Sequence, residues 1–267
     1  TINKENNSVV GFKTSDVIVK DYKWYINGSD DRFNKISFNK DLSSIEIDRL
    51  NINHGREEVT LSGFIKDSTE KDLKLKFKDV RLSKITPDID SLKLNGIVNG
   101  ELDILQKNGS YLPNSTVIVE NFKVNNFPLG DFNAQIIGNE DLTTYNVDVS
   151  IIDEVKSTFS AIGNIDVGRN RSKIDVDLEF DRFNLSPLNP LLSGVLSNIR
   201  GEATGTANVV GNLIKPDIIG QLNLNNGGFT IPYLNVDYQF NNNVKVGLEE
   251  QSFLFSEIKL TDTKYNS

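Results

Sequence analysis

The chain has 267 residues, no cysteine, no methionine, one histidine and a formal net charge of −8. Without cysteine there are no disulfides and no thiolate metal sites, and an acidic chain lacks the Lys/Arg surplus that replaces phosphate counterions, so no nucleic acid is expected as a partner. Only 37% of the residues are hydrophobic, which suits a sheet with one apolar and one wet face better than a core apolar on both sides.

In chain order, the first 40 or so residues are the least regular. Strand candidates there are Val17-Ile18-Val19 and Tyr22-Lys23-Trp24-Tyr25-Ile26, and the pair Asp30-Asp31 offers carboxylates to calcium but lacks an EF-hand loop. From Ile45 onward, period-2 alternation dominates, and successive side chains on a strand point to opposite faces. The clear runs begin with Ile45-Glu46-Ile47, Val59-Thr60-Leu61 and Leu73-Lys74-Leu75-Lys76-Phe77. They continue with the seven-residue alternations from Tyr145 to Ile151 and from Ile174 to Phe180, then Leu222-Asn223-Leu224 and Phe253-Leu254-Phe255. Turn signals separate them at Asn27-Gly28, Asn108-Gly109, Gly168-Arg169-Asn170 and Asn226-Gly227-Gly228. Ser186 as N-cap and Pro187 in the first helical position predict one short helix over 187–197, whereas the counterpart Thr86-Pro87-Asp88-Ile89-Asp90 reads as extended. No run approaches the ~20 apolar residues of a membrane helix. With no methionine even at position 1, and a strand-like run leading straight into Tyr265-Asn266-Ser267, the chain is expected to be a segment of a longer protein.

The pattern also repeats. Phe77-x-x-Val80-x-Leu82-Ser83-x-Ile85 matches Phe180-x-x-Phe183-x-Leu185-Ser186-x-Leu188, Gly96-x-x-x-Gly100 matches Gly201-x-x-x-Gly205, Pro113 matches Pro216, and Phe127-Pro128-Leu129 matches Ile231-Pro232-Tyr233. The offsets, 103 to 105 residues, are steady enough to imply two stacked β units, about 59–158 and 159–267, after an irregular N-terminal part of the sheet over 1–58. The expected fold is all-β: an elongated antiparallel repeating β-groove, taco- or solenoid-like, with an apolar interior. The even spacing inside each glycine pair puts both glycines on the inner face. There they permit either sheet curvature or close approach of another layer or a ligand.

Catalytic signals are nearly absent, and no enzymatic activity is expected. His54 stands alone beside Gly55 in an expected turn, so no Ser/His/Asp triad, Cys/His pair or His-rich zinc site can be assembled. Asp175 and Asp177 flank Val176 on the polar face of a strand, where carboxylates ordinarily sit for solvation. Neither a cofactor nor a metal is called for. What remains is the apolar stripe, which is a core if the sheet closes on itself and a trough if it does not.

A longer run carries a resemblance. Leu178-x-Phe180-x-x-Phe183-x-Leu185-Ser186-Pro187-Leu188 is followed by Leu191-Leu192-Ser193 and by Arg200-Gly201-Glu202-Ala203-Thr204-Gly205. Next come Val210-Gly211-Asn212-Leu213-x-Lys215-Pro216 and Phe229-x-Ile231-Pro232-x-Leu234-x-Val236-x-Tyr238, and Ile258-Lys259-Leu260-Thr261-Asp262 closes the series. The order and spacing resemble the C-terminal region of the TamB translocation and assembly family, within the wider AsmA-like group, over about 72–262. That resemblance implies a periplasmic protein of a Gram-negative envelope, anchored in the inner membrane by a segment outside this chain. It also implies a long β-groove passing phospholipid between membranes, and cooperation with Omp85-type outer-membrane barrel proteins of the TamA or BamA kind. On this reading Val147, Val149, Ile151, Ile174, Val176, Leu178, Phe180, Leu222 and Leu224 line the groove and meet phospholipid acyl chains. The rival reading is a structural β-solenoid, scaffold or adhesin module whose apolar face is a closed core. A glycan-active enzyme is the weakest, because no acid pair has a recognisable setting.

Overall fold

The computed structural model describes residues 7–28, 32, 34–67, 69–86, 92–107, 110–139, 143–167, 172–192, 194–240, 243–249, 252–256 and 258–263. Among these residues nearly all regular structure is antiparallel β, in one hydrogen-bonded sheet of nineteen strands, as the alternation predicts. The strands are β1 (Ser8–Gly11), β2 (Ser15–Val19), β3 (Tyr22–Ile26), β4 (Lys35–Phe38), β5 (Ser44–His54), β6 (Glu57–Lys66) and β7 (Glu70–Arg81), followed by β8 (Leu94–Lys107), β9 (Ser110–Val124) and β10 (Phe127–Gly138). Then come β11 (Thr144–Asp153), β12 (Lys156–Val167), β13 (Ser172–Asn184), β14 (Ser197–Asn212), β15 (Lys215–Ile231), β16 (Val236–Phe240), β17 (Val244–Glu249), β18 (Ser252–Ser256) and β19 (Leu260–Asp262). Two compact units divide the chain: Thr1–Thr86 with Gly96–Glu120 and Ala134–Leu142, and Pro87–Asn95 with Asn121–Asn133 and Thr143–Ser267.

In the first unit β5, β6, β7 and β8 form an antiparallel meander. The other edge of β5 is shared between β4, which carries β1, and β3, which carries β2. Cross-strand register puts apolar residues in rows, such as Leu50–Leu61–Leu75–Leu102 and Ile47–Gly63–Leu73–Ile104. Glu57 lies at one end of this face. It receives the Nζ of fully buried Lys84 at 2.6 Å, with the Arg81 backbone N–H at 3.0 Å and Nε at 2.8 Å. Lys84 belongs to a one-turn helix, α1 (Leu82–Ile85), that the sequence pattern does not announce. Its Nζ also sits 4.4 Å from the centre of the Tyr22 ring, so the buried cation has both a carboxylate and a π face. Lys20 Nζ donates to the Ser83 and Thr86 carbonyls at 3.2 and 2.8 Å, which satisfies acceptors that α1 leaves open.

In the second unit β11 to β15 run as a meander of long strands. β15 serves two partners on its far side: Gly220–Leu224 pair with β17 and Gly228–Ile231 with β16, with β18 beyond β17 and β19 beyond β16. The turn expected at Asn226-Gly227-Gly228 is therefore a bend inside one strand, with Asn226 at φ +52° and the Phe240 ring packed where a Cβ on Gly227 would stand. The helix expected over 187–197 is replaced by two 3-10 turns, Ser186–Leu188 and Pro190–Leu192. Pro190 has no N–H to continue a helix begun at Pro187. Ser186 is the first residue of its turn rather than the cap: the N-cap position falls on Leu185, and the Ser186 N–H is taken by Asn184 Oδ1 at 2.9 Å. Asn27-Gly28 and Gly55 do form turns. Asn108-Gly109, Gly168-Arg169-Asn170, Asp30-Asp31 and 87–90 lie outside the described residues.

Both units bend by the same device. At Ile47/Leu50, Phe77/Val80 and Phe180/Phe183 the strand inserts one extra residue against its partner, a β-bulge, and the large residue before each insertion faces a glycine: Gly63, Gly100 or Gly205. In two of the three, the inserted segment holds a residue at positive φ, Asp79 at +54° and Arg182 at +57°. The Asp79 N–H is taken by Asn99 Oδ1 at 2.9 Å and that of Arg182 by Thr204 Oγ1 at 3.1 Å. A Cβ on Gly100 would stand 2.2 Å from the Thr116 carbonyl oxygen, and on Gly205 2.3 Å from that of Gln221. The neighbour these glycines admit is the next strand's backbone, so their role is sheet curvature.

Candidate functional site

All nine residues assigned to the groove lie on one face of the second unit, because each takes the inward phase of an uninterrupted alternation. Register aligns them with residues of the intervening strands. Val149, Ala161, Leu178, Ala207, Gly220 and Leu248 make one row across β11, β12, β13, β14, β15 and β17. Ile151, Phe159, Phe180, Gly205, Leu222 and Val246 make the next. Val147, Gly163, Val176, Val209 and Ile218 flank them on one side, and Phe183, Ala203, Leu224 and Val244 on the other. Ile174 continues the face toward its end, opposite Ile165 and Gly211.

Burial is uneven along this face. Ile151 and Val176 are each 6% exposed, whereas Val147, Val149, Ile174, Leu178, Phe180, Leu222 and Leu224 are half-buried. The tightest packing is at Ala207, Val244, Val246 and Leu248, against which Leu178, Ile218, Leu222, Leu224 and Phe240 lean. Aromatic rings fill the bulge: Phe159, Phe180 and Phe183 meet pairwise at 5.2 to 6.0 Å between centroids. A second group joins Phe229 to Tyr238 and Phe240, each at 5.9 Å. No charged side chain occupies the rows named above.

The opposite face is mostly polar, with exposed Ile162 and Ile219 in the row of Asp148, Asp177 and Asn208. Asp175 and Asp177 are exposed and share one donor, Asn208 Nδ2, at 3.0 and 2.8 Å. That arrangement solvates two carboxylates and sets up no acid–base pair. His54 is held at the end of β5 by the Lys23 carbonyl, 2.7 Å from Nδ1, with its ring 5.8 Å from Trp24 and 5.9 Å from Tyr22.

Sequence reading missed several members of the face. Val244-x-Val246-x-Leu248 is a plain alternation of the same kind. Ala161, Ala203 and Ala207 are too small to register as an apolar stripe. Tyr145 shares the inward phase of Val147, yet carries a hydroxyl: it is 3% exposed, and its hydroxyl has no hydrogen-bond partner among the described residues. Burial alone raises its pKa to about 12, so the phenol remains a protonated donor at any physiological pH.

No family model, no curated protein and no solved structure matches this chain.

Proposed function

We propose that this chain is a lipid-conduit segment of a periplasmic bridge-like protein. Its apolar β face carries phospholipid acyl chains between the inner and outer membranes of a Gram-negative envelope and supports outer-membrane assembly alongside an Omp85-type barrel protein. No bond is made or broken. The observation that carries this reading is the half-buried state of seven of the nine lining residues. A closed core would sink central-strand Val149, Phe180 and Leu222 as deeply as Val176. A continuous apolar face left partly open to water is costly unless something occupies it, and each acyl CH₂ placed there gains about 0.8 kcal/mol. The resemblance to the TamB and AsmA-like group supports the same cargo and supplies the compartment and the partner.

The buried cluster at Ala207, Val244, Val246 and Leu248 favours a second reading, a scaffold with a closed core. Photoreactive residues placed singly at Val147, Val149 and Leu222, irradiated with the chain expressed in a Gram-negative envelope, separate the two. Phospholipid adducts from these positions, and none from outward Asp148 or Gln221, are expected. Their absence at every inward position defeats the conduit and leaves the scaffold.

A further inference from the structure

Tyr145 departs from its surroundings on the lining face. Its row holds Ile165 and Ile174, all hydrocarbon, and its own strand continues inward through Val147, Val149 and Ile151. The adjacent Thr144 finds a partner in Asp166 at 2.9 Å on the outward side. The Tyr145 hydroxyl finds none among the described residues, although it is buried. A buried donor left without an acceptor is destabilising, and phenylalanine would fill the same volume without that cost. An acceptor that arrives with a ligand would satisfy the phenol and lift that cost.

Resting on the lipid-conduit reading, we infer that Tyr145 is the polar contact of the groove, donating a hydrogen bond to the carbonyl oxygen of a fatty-acyl group and so distinguishing acyl compounds from plain hydrocarbon. A protonated fatty acid and an acyl ester both present a neutral carbonyl acceptor, and neither requires a charge on the protein, in keeping with the uncharged rows around it. The register explains why the contact lies here: Tyr145 sits at the start of β11, at one end of the face, so a chain laid along Val147, Val149 and Ile151 would leave its polar end beside the phenol.

The test uses the whole chain and a reporter with no hydrogen-bonding groups, diphenylhexatriene, displaced by lauric acid, methyl laurate or dodecane. The wild type is expected to prefer the two acyl compounds over dodecane by about fivefold to tenfold, the size of one net hydrogen bond. In Tyr145→Phe that ratio falls toward one, while its unfolding midpoint stays level or rises. Preference for lauric acid alone assigns the contact to a free carboxyl, and preference for both assigns it to any acyl carbonyl. An unchanged ratio in Tyr145→Phe overturns the role of the phenol and leaves the conduit intact. Failure of the wild type to bind either reporter or laurate removes the conduit reading itself.

Discussion

Two ion-paired residues carry more of the fold than their number suggests. Lys84 is wholly buried and its ammonium is matched by Glu57. Lys84→Ala leaves that carboxylate desolvated with Arg81 as its remaining cation, and should cost about 3–5 kcal/mol in urea unfolding. The double change Glu57→Leu with Lys84→Met should recover most of it, because apolar replacement of both partners removes the desolvation cost together with the attraction. Asp237 organises the second unit in a similar way. It accepts both Arg200 guanidinium nitrogens at 2.9 Å, Thr230 Oγ1 at 2.7 Å and Thr263 Oγ1 at 2.9 Å. Partial burial pushes its carboxyl up, but the hydrogen bonds from Arg200, Thr230 and Thr263 outweigh it and hold the group well below the usual carboxylate range. Since the folded pKa is the lower one, this contribution is complete above the unfolded value of about 3.9 and is lost as pH falls toward the folded pKa. Asp237→Asn should therefore destabilise at pH 7 by about 1–3 kcal/mol and flatten the acid limb of stability against pH. A mutant with the wild-type slope below pH 4 would deny Asp237 that role.

At the scale of elements, the bulge with its facing glycine is the recurrent part. Gly205→Ala must place a Cβ 2.3 Å from a main-chain oxygen at a φ of +144°, where neither strand can yield without giving up the curvature. A loss of about 2 kcal/mol or more is expected in chemical denaturation. Alanine at Gly55, in an open turn with nothing near its Cβ position, should cost less. The bulges leave a mark in the sequence. Apolar residues at 47, 50 and 52, at 77, 80 and 82, and at 180, 183 and 185 skip one phase of the alternation, which an inserted residue requires. The second and third are legible as a repeat. The first, Ile47-Asp48-Arg49-Leu50-Asn51-Ile52, is not legible as part of that repeat because no glycine pair follows it in sequence; its facing glycine, Gly63, stands alone on β6.

At the scale of the whole molecule, the question is whether the apolar face works as core or as trough, and single charges can answer it. Val176→Asp puts a carboxylate where only 6% of the residue is exposed, and should unfold the second unit at a cost of several kcal/mol. Val149→Asp, in the same sheet but half-buried, should keep the cooperative unfolding transition while abolishing lipid adducts from a photoreactive residue at Leu222. If both substitutions unfold the chain alike, the face is a closed core.

Period-2 alternation by itself determined the antiparallel β class and the common face of the nine residues assigned to the groove, because side-chain direction on a strand follows from residue parity alone. Only the tertiary structure decided the rest. It turned the Asn226-Gly227-Gly228 signal into a bend, since a strand can change partners midway where glycine admits an aromatic ring. It broke the expected helix at Pro190, and it buried Lys84 in a helical turn of four residues. It also separated Val176 from Val149, two valines of identical pattern, since burial depends on what packs across the sheet and parity does not encode that.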